Sequence, residues 1–338
     1  MKELTGEGRT ILIVGGAGYI GSVITPHLLS AGYRVRCLDR LLYENGETVL
    51  PWLGNPDYEF RWGDFVKTDV LADALDGATD VVFLAGLVGD PITKTYPEAS
   101  KIINEEAYEA GLRLLAGRNL GRVIFVSTCS NYGLIQGDQV AAEDFPLSPL
   151  SLYAKAKVRV EQALLGLADS VDYCATVLRF ATAFGLSPRM RFDLTISEFV
   201  RELWSGRELL VYDPDTWRPY CHVRDFANII RLVLEAPEEA VSFEVFNAGG
   251  EVNNYTKRMI VDAIAPLIRD PKIRFQEHGS DPRNYRVDFR KIRERLGFEP
   301  SQTVPDGIRE LICALDARLF DEVEARRNFH GNYEIAYP

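Results

Sequence analysis

The feature that most constrains this chain is a rhythm. Short apolar runs, "TILIVGG" (10–16), "RVRCLD" (34–39), "DVVFLAG" (80–86), "RVIFVST" (122–128) and "CATVLRF" (174–180), alternate with helical periodicity near 21–31, 98–117 and 151–168. Several runs are apolar on both faces, as strands are when helices cover both sides of a parallel sheet. Strict alternation of strand and helix predicts an α/β fold on a doubly wound parallel sheet. After residue 180 the rhythm breaks into "FGLSPRMRFD", a helix near 194–205 and "LLVYDPDTWRPYCHVRD", and "FEVFNAGG" (243–250) is expected to rejoin the sheet. Two units follow: a sheet domain of residues 1–180 plus about 224–250, and a smaller discontinuous α/β unit of about 181–223 plus 251–338.

A chain of 338 residues with 46% hydrophobic content can build such a core unaided. Its formal net charge of −11 repels nucleic acid and anionic lipid, so neither is expected as a partner. The five cysteines, Cys37, Cys129, Cys174, Cys221 and Cys313, show no paired spacing. That argues against a disulfide framework and against a zinc site, and it fits a reducing, cytoplasmic setting. "MKELTGEGRT" lacks the apolar core of a secretory signal, and "ILIVGGAGYIGSVITPHLLSAG" (11–32), broken by four glycines before Ser22 and by Pro26, reads as strand, turn and helix rather than a membrane span.

That first turn, "GGAGYIGS", carries Gly15, Gly18 and Gly21 as G-x-x-G-x-x-G between a buried strand and a helix. Glycines there let the chain turn tightly, admit backbone N–H groups to a diphosphate, and pack the helix against the strand. A glycine triplet alone is weak, but in this context it predicts dinucleotide binding over a purely structural turn. Asp39 closes the second strand 24 positions after Gly15, where a carboxylate can accept from an adenosine ribose and repel a 2′-phosphate. NAD is therefore favoured over NADP, which the neighbouring Arg40 keeps open. Asp64 in "RWGDF" is an adenine-contact candidate or an ordinary turn aspartate.

"SPLSLYAKAKVRVEQALLG" (148–166) places Tyr153 and Lys157 four apart on one helix face, with Lys155 on another. By spacing alone such a pair is usually solvated decoration. Together, however, "GGAGYIGS", "VSTCSNYG" and "YAKAK" resemble the extended short-chain dehydrogenase/reductase family, in particular its nucleotide-sugar epimerases, dehydratases and reductases. "RPYCHVRD" (218–225) and "DPRNYRVDFRKIRERLGFEP" (281–300) extend the likeness over nearly the whole chain.

The resemblance implies a Rossmann-type NAD-binding domain and a nucleotide-sugar-binding domain. It implies Tyr153 as the proton-transfer group, Lys157 as its electrostatic support and holder of the nicotinamide ribose, and Thr128 as donor to the reacting oxygen. A free tyrosine has a pKa near ~10, so a phenolate at neutral pH needs positive charge beside it. The resemblance also places Gly15, Gly18, Tyr19, Ile20, Gly21, Asp39, Asp64, Phe65, Leu84, Ala85 and Gly86 on the cofactor with Tyr153 and Lys157. Val88, Thr128, Ser130, Arg218 and Arg283 fall on the substrate, and no metal is implied. Each arginine could instead be a surface ion-pairing residue, and His222 corresponds to a family histidine at the domain junction.

Two departures matter. The family's 4,6-dehydratases carry Asp-Glu after the catalytic threonine, whereas this chain has Cys129 and Ser130, which argues against dehydration. Cys129 remains a candidate acid/base group, set against a small buried hydrophobe. Ala181 stands where several relatives have an asparagine on the substrate diphosphate. The expected activity is an epimerase working through a transient C4 keto sugar. The alternatives are an NAD(P)H-dependent 4-keto reductase and, remotely, a non-catalytic dinucleotide sensor. A homodimer through a four-helix interface is also implied, since "VRVEQALLGLA" and "AYEAGLRLLAG" offer apolar faces.

Overall fold

A computed structural model describes residues 6–279 and 283–337. Five strands, β1 (Thr10–Val14), β2 (Arg34–Asp39), β3 (Tyr58–Trp62), β4 (Asp80–Phe83) and β5 (Arg122–Thr128), join Cys174–Phe180 and Glu244–Ala248 in a seven-stranded parallel sheet. From one edge the order is Glu244–Ala248, Cys174–Phe180, β5, β4, β1, β2, β3. The expected α/β fold is present, and the segment expected to rejoin the sheet is its edge strand.

Continuous apolar runs are needed because both sheet faces are covered. Ile11 and Ile13 of β1 face Ile24 and Leu28 of the helix Gly21–Ser30 and Ile230 of Val223–Glu235. Leu12 and Val14 face Leu71, Tyr108 and Val160 on the other side. Alternate side chains thus enter opposite cores. The strand β3, "YEFRW", gives no apolar run in the sequence because it lies at the open edge and mixes buried with exposed residues.

The smaller unit has its own core of Phe184, Met190, Val200, Tyr220, Ile260 and Ile308. Thr182–Phe184 pairs with Trp217–His222, which pairs with Asn254–Thr256. The segment 251–338 does not stay together as expected. Val287, Phe289, Ile292 and Phe298 share an apolar cluster with Ile13 and Phe246, and Arg286–Val287 pairs with Val140–Ala141. Apolar residues of the helix Arg290–Leu296 are covered by the edge strand of the large sheet, so this stretch packs with the sheet domain. Ser280, and Asp281 and Pro282 of the "DPRNY" stretch, lie outside the described residues. Among the described residues no helix is long and apolar enough to cross a membrane, and no cluster of side chains suits a metal.

In this strand order the chain passes to opposite sides of the sheet on leaving β1 and β4. A crevice therefore opens beyond their carboxyl ends, where doubly wound folds place ligands.

Candidate active site

The crevice is a cleft of about 450 Å³ between the sheet and the smaller unit. Gly15, Gly18, Tyr19, Ile20 and Gly21 line one end, with Asp39, Asp64 and Phe65 beside them. Leu84, Ala85, Gly86 and Val88 form the floor, and Thr128, Ser130, Tyr153, Lys157, Arg218 and Arg283 reach the other end. Residues separated by more than 250 positions are thereby brought to one cavity.

Glycine has a distinct reason at each cradle position. Gly15 has φ +87, and a Cβ there would lie 2.6 Å from the Ala85 amide nitrogen. A Cβ at Gly21 would lie 2.6 Å from Gly16 Cα. At Gly18 it would meet only Gly15 O, at 3.5 Å, so the room it would take is cleft. The helix Gly21–Ser30 begins at Ile20 with no side-chain cap, leaving its positive end to an anion from the cleft. The cradle fits a dinucleotide diphosphate.

Asp39 accepts from Ala17 N at 3.0 Å and Leu41 N at 2.8 Å, so it shapes the turn besides facing the cleft. Burial raises its carboxyl above the usual range, and those two amides oppose the rise. Arg40 donates to Asp64 at 2.8 Å and lies 4.7 Å over the Tyr337 ring, so its charge is already engaged.

At the other end, β5 delivers Thr128, and the helix Leu152–Leu165, capped by Ser151 accepting from Ala154 N at 3.1 Å, delivers Tyr153 and Lys157. Lys157 Nζ donates to Val126 O at 2.8 Å and sits 4.5 Å over the Phe125 ring and 5.9 Å from that of Tyr153. Burial pulls this lysine down to about 7, and the nearby Glu161 carboxylate opposes the fall. Burial pushes the Tyr153 phenol well up, while the Arg191 guanidinium favours its ionised form. Thr128 Oγ1 accepts from Ser130 N at 3.1 Å, leaving its hydroxyl hydrogen for the cleft. Lys155 is exposed.

Cys129 does not line the cleft; its Sγ donates to Arg179 O at 3.1 Å, and burial raises the thiol far above its usual range. Its neighbour Ser130 does face the cleft, within 3.4 Å of the Tyr285 hydroxyl. Arg218 donates to the carbonyls of Trp217 and Arg283, and Arg283 pairs with Asp90 at 3.1 Å. His222 is fully buried and does not line the cleft; it lies 2.9 Å from Glu310 and accepts from Arg224 N to start the helix Val223–Glu235.

Several contributors carry no sequence motif. Arg191 reaches the cleft paired with Asp193 at 3.0 and 2.5 Å. Asn104, from a π-helical turn Ile102–Glu106, donates to Leu87 O and accepts from Leu87 N, fixing the loop after β4. Glu161 and Arg179 form a buried pair at 2.9 Å behind the Tyr and Lys, extended through Ser127, Asn131 and Tyr132. The arginines are visible in "SPRMRFD", but no local pattern says which way a loop side chain turns.

A parallel sheet with a glycine cradle at one end of a cleft and a half-buried Tyr with a buried Lys and Thr at the other defines a dinucleotide-dependent enzyme of Rossmann type. Residues 11–249 match the NAD dependent epimerase/dehydratase family, and the chain belongs to it. The UDP-glucose 4-epimerase of Corynebacterium glutamicum is 27% identical over 338 residues, covering 94% of this chain and 98% of the relative. The dTDP-glucose 4,6-dehydratase of Streptomyces niveus is 27% identical over 314 residues, covering 89% and 91%. The solved structure of MoeE5 in complex with UDP-glucuronic acid and NAD superposes with a TM-score of 0.78 at 25% identity, covering 91% of this chain and 99% of that one. The protein is thus an enzyme of the extended short-chain dehydrogenase/reductase type, and its cofactor is NAD.

Proposed function

We propose that the protein is a nucleotide-sugar epimerase that inverts a sugar carbon, C4, through a transient ketone. One observation carries this reading. Tyr153, Lys157 and Thr128 converge on the cleft, while the position after Thr128 holds a thiol turned into the core, so the acid/base pair a dehydration needs is absent there.

When bound, NAD supplies the acceptor and donor of hydride. Tyr153 Oη takes the proton of the sugar hydroxyl and later returns it, and Thr128 Oγ1 donates to the same oxygen. The ammonium of Lys157 and the guanidinium of Arg191 favour the phenolate that this exchange requires. Arg218 and Arg283 serve the substrate diphosphate, which at Ala181 finds a methyl group in place of an amide. We also read the enzyme as a cytoplasmic homodimer, paired through the helices Ala107–Leu115 and Leu152–Leu165; its cysteines, all free, suit a reducing compartment.

The test is to follow UDP- and dTDP-activated hexoses and hexuronic acids by NMR with the enzyme and catalytic NAD. Interconversion of C4 epimers to a fixed ratio with no net NADH is the expected result. Conversion of the NAD to NADH in proportion to a 4-keto sugar that accumulates would establish the reductase, run backwards, instead, and a 4-keto-6-deoxy product would sink the reading through Cys129 and Ser130.

A further inference from the structure

We propose that Arg189 is the cation that meets the diphosphate of NAD, reaching the glycine turn from the smaller unit, and that the segment 326–337 holds it in place. The inference rests on the family's NAD dependence and not on the epimerase reading.

Arg189 lies on the loop between Thr182–Phe184 and Thr195–Trp204, and that loop is fastened to the cradle. Ser187 Oγ donates to Tyr19 O at 2.7 Å and lies 3.0 Å from Ser22 Oγ. The Tyr19 hydroxyl donates to Gly185 O at 2.7 Å, and Arg189 N donates to Ser187 Oγ at 3.3 Å. The arginine therefore starts two residues from a direct contact with the glycine turn.

Its side chain is 3% exposed and faces the cleft, with the guanidinium 4.3 Å over the Tyr43 ring. Nη2 donates to the carbonyls of Asn328 at 3.2 Å and Gly331 at 3.0 Å. Among the described residues no carboxylate lies within ion-pair distance of it, and Nε has no partner. Tyr43 Oη and Asn332 Oδ1, both on the cleft wall, are also buried without partners. A buried unpaired cation beside orphaned polar atoms is costly unless a ligand completes it. Burial and the neighbouring Arg191 hold Arg189 down to about 10.

The position favours the cofactor over the sugar. The charge of Arg189 acts on Asp39, at the adenosine end, whereas the arginine that acts on Tyr153 is Arg191. Arg191 and Arg40 are each committed to a carboxylate. A diphosphate supplies the missing charge and matches the planar guanidinium fork. The segment that supplies the two carbonyls is itself anchored across the cleft, by Asn332 Nδ2 on Val88 O at 2.8 Å and Arg326 on Glu47 at 2.8 Å.

The experiment titrates the unaltered protein, Arg189→Met and Arg189→Lys with NADH, ADP-ribose, adenosine and UDP. Arg189→Met should weaken NADH and ADP-ribose about 10- to 100-fold while changing adenosine by less than about threefold, because only the first two carry the diphosphate. Arg189→Lys should recover part of the loss. If the Met variant does not fold, the Lys variant, which keeps the charge but not the fork, decides the matter: a selective loss of ADP-ribose relative to adenosine supports the assignment. Unchanged NADH affinity, an equal loss for adenosine, or a loss confined to UDP would each overturn it. None of these readouts depends on which sugar the enzyme turns over.

Discussion

At the scale of single residues, Lys157 is the side chain whose surroundings say most. Its ordinary value of 10.5 falls to about 7 on burial, so between those pH values the unfolded chain holds a proton that the folded protein does not. Stability contributed at this site therefore rises with pH across that window, and below about pH 7 the folded protein carries the full cost of a buried ammonium. Lys157→Met should raise the melting temperature relative to the unaltered protein at pH 6, with the gain fading by pH 9, while turnover and NAD affinity fall. A variant that loses most stability at pH 6 would show that the ammonium stabilises the fold. Tyr153→Phe tests the partner: fold and cofactor binding should survive while turnover drops ~10²- to 10⁴-fold, as for loss of a general acid/base, and Lys155→Ala should change little. That Tyr153 and Lys157 share a face was legible because a four-residue spacing on a helix survives folding unchanged. Arg189 and Arg191 were not, because a loop side chain points where the rest of the molecule leaves room.

At the scale of elements, the glycine turn separates binding from folding within seven residues. Gly18 borders open cleft, whereas Gly21 abuts Gly16 Cα. Gly18→Ala should therefore keep its melting temperature within a degree or two, on the order of ~0.5 kcal/mol, and lose NAD affinity. Gly21→Ala should destabilise the protein by ~1–3 kcal/mol as the helix is pushed off the strand. Thermal melts of both variants with and without NAD distinguish the effects; a Gly18→Ala protein that binds NAD normally would mean the diphosphate does not lie over that residue. The motif announced that a turn of this kind was present. Only the packed turn shows which glycine meets protein and which meets ligand.

At the scale of the whole molecule, the two helices assigned to a dimer interface turn their apolar faces inward. Ala107, Tyr108, Leu112 and Leu115 of one, and Val160 and Leu164 of the other, are buried in the apolar cluster on one face of the sheet. Their outward positions carry Glu109, Arg113, Lys155 and Arg159, with Arg159 paired to Glu105. A dimer formed there joins charged rows of both signs, and such contacts weaken as salt screens them. Sedimentation at micromolar concentration should give a dimer at low ionic strength and a greater monomer fraction at about 0.5 M salt, where the screening length is only a few ångströms. Monomer at every salt concentration would remove this interface.

The parallel sheet, the glycine turn and the shared helix face of Tyr153 and Lys157 were readable in the sequence, since each is a matter of periodicity or spacing that local backbone geometry sets, whereas a role for the pair came only from the resemblance that three motifs make together. The sequence also marked Cys129 and Ser130 as a departure, without saying which of them reaches the cleft. The tertiary structure decided that, because the turn after β5 sends one side chain to the core and the next to the cavity. It decided as well that residues 285–298 pack with the sheet domain, that Glu161 and Arg179 pair behind Tyr153 and Lys157, and that Arg189 meets the carbonyls of Asn328 and Gly331 beside the glycine turn. Those outcomes depend on contacts between segments 18 to more than 140 residues apart, and no local pattern in a chain encodes which distant segment will arrive to cover it.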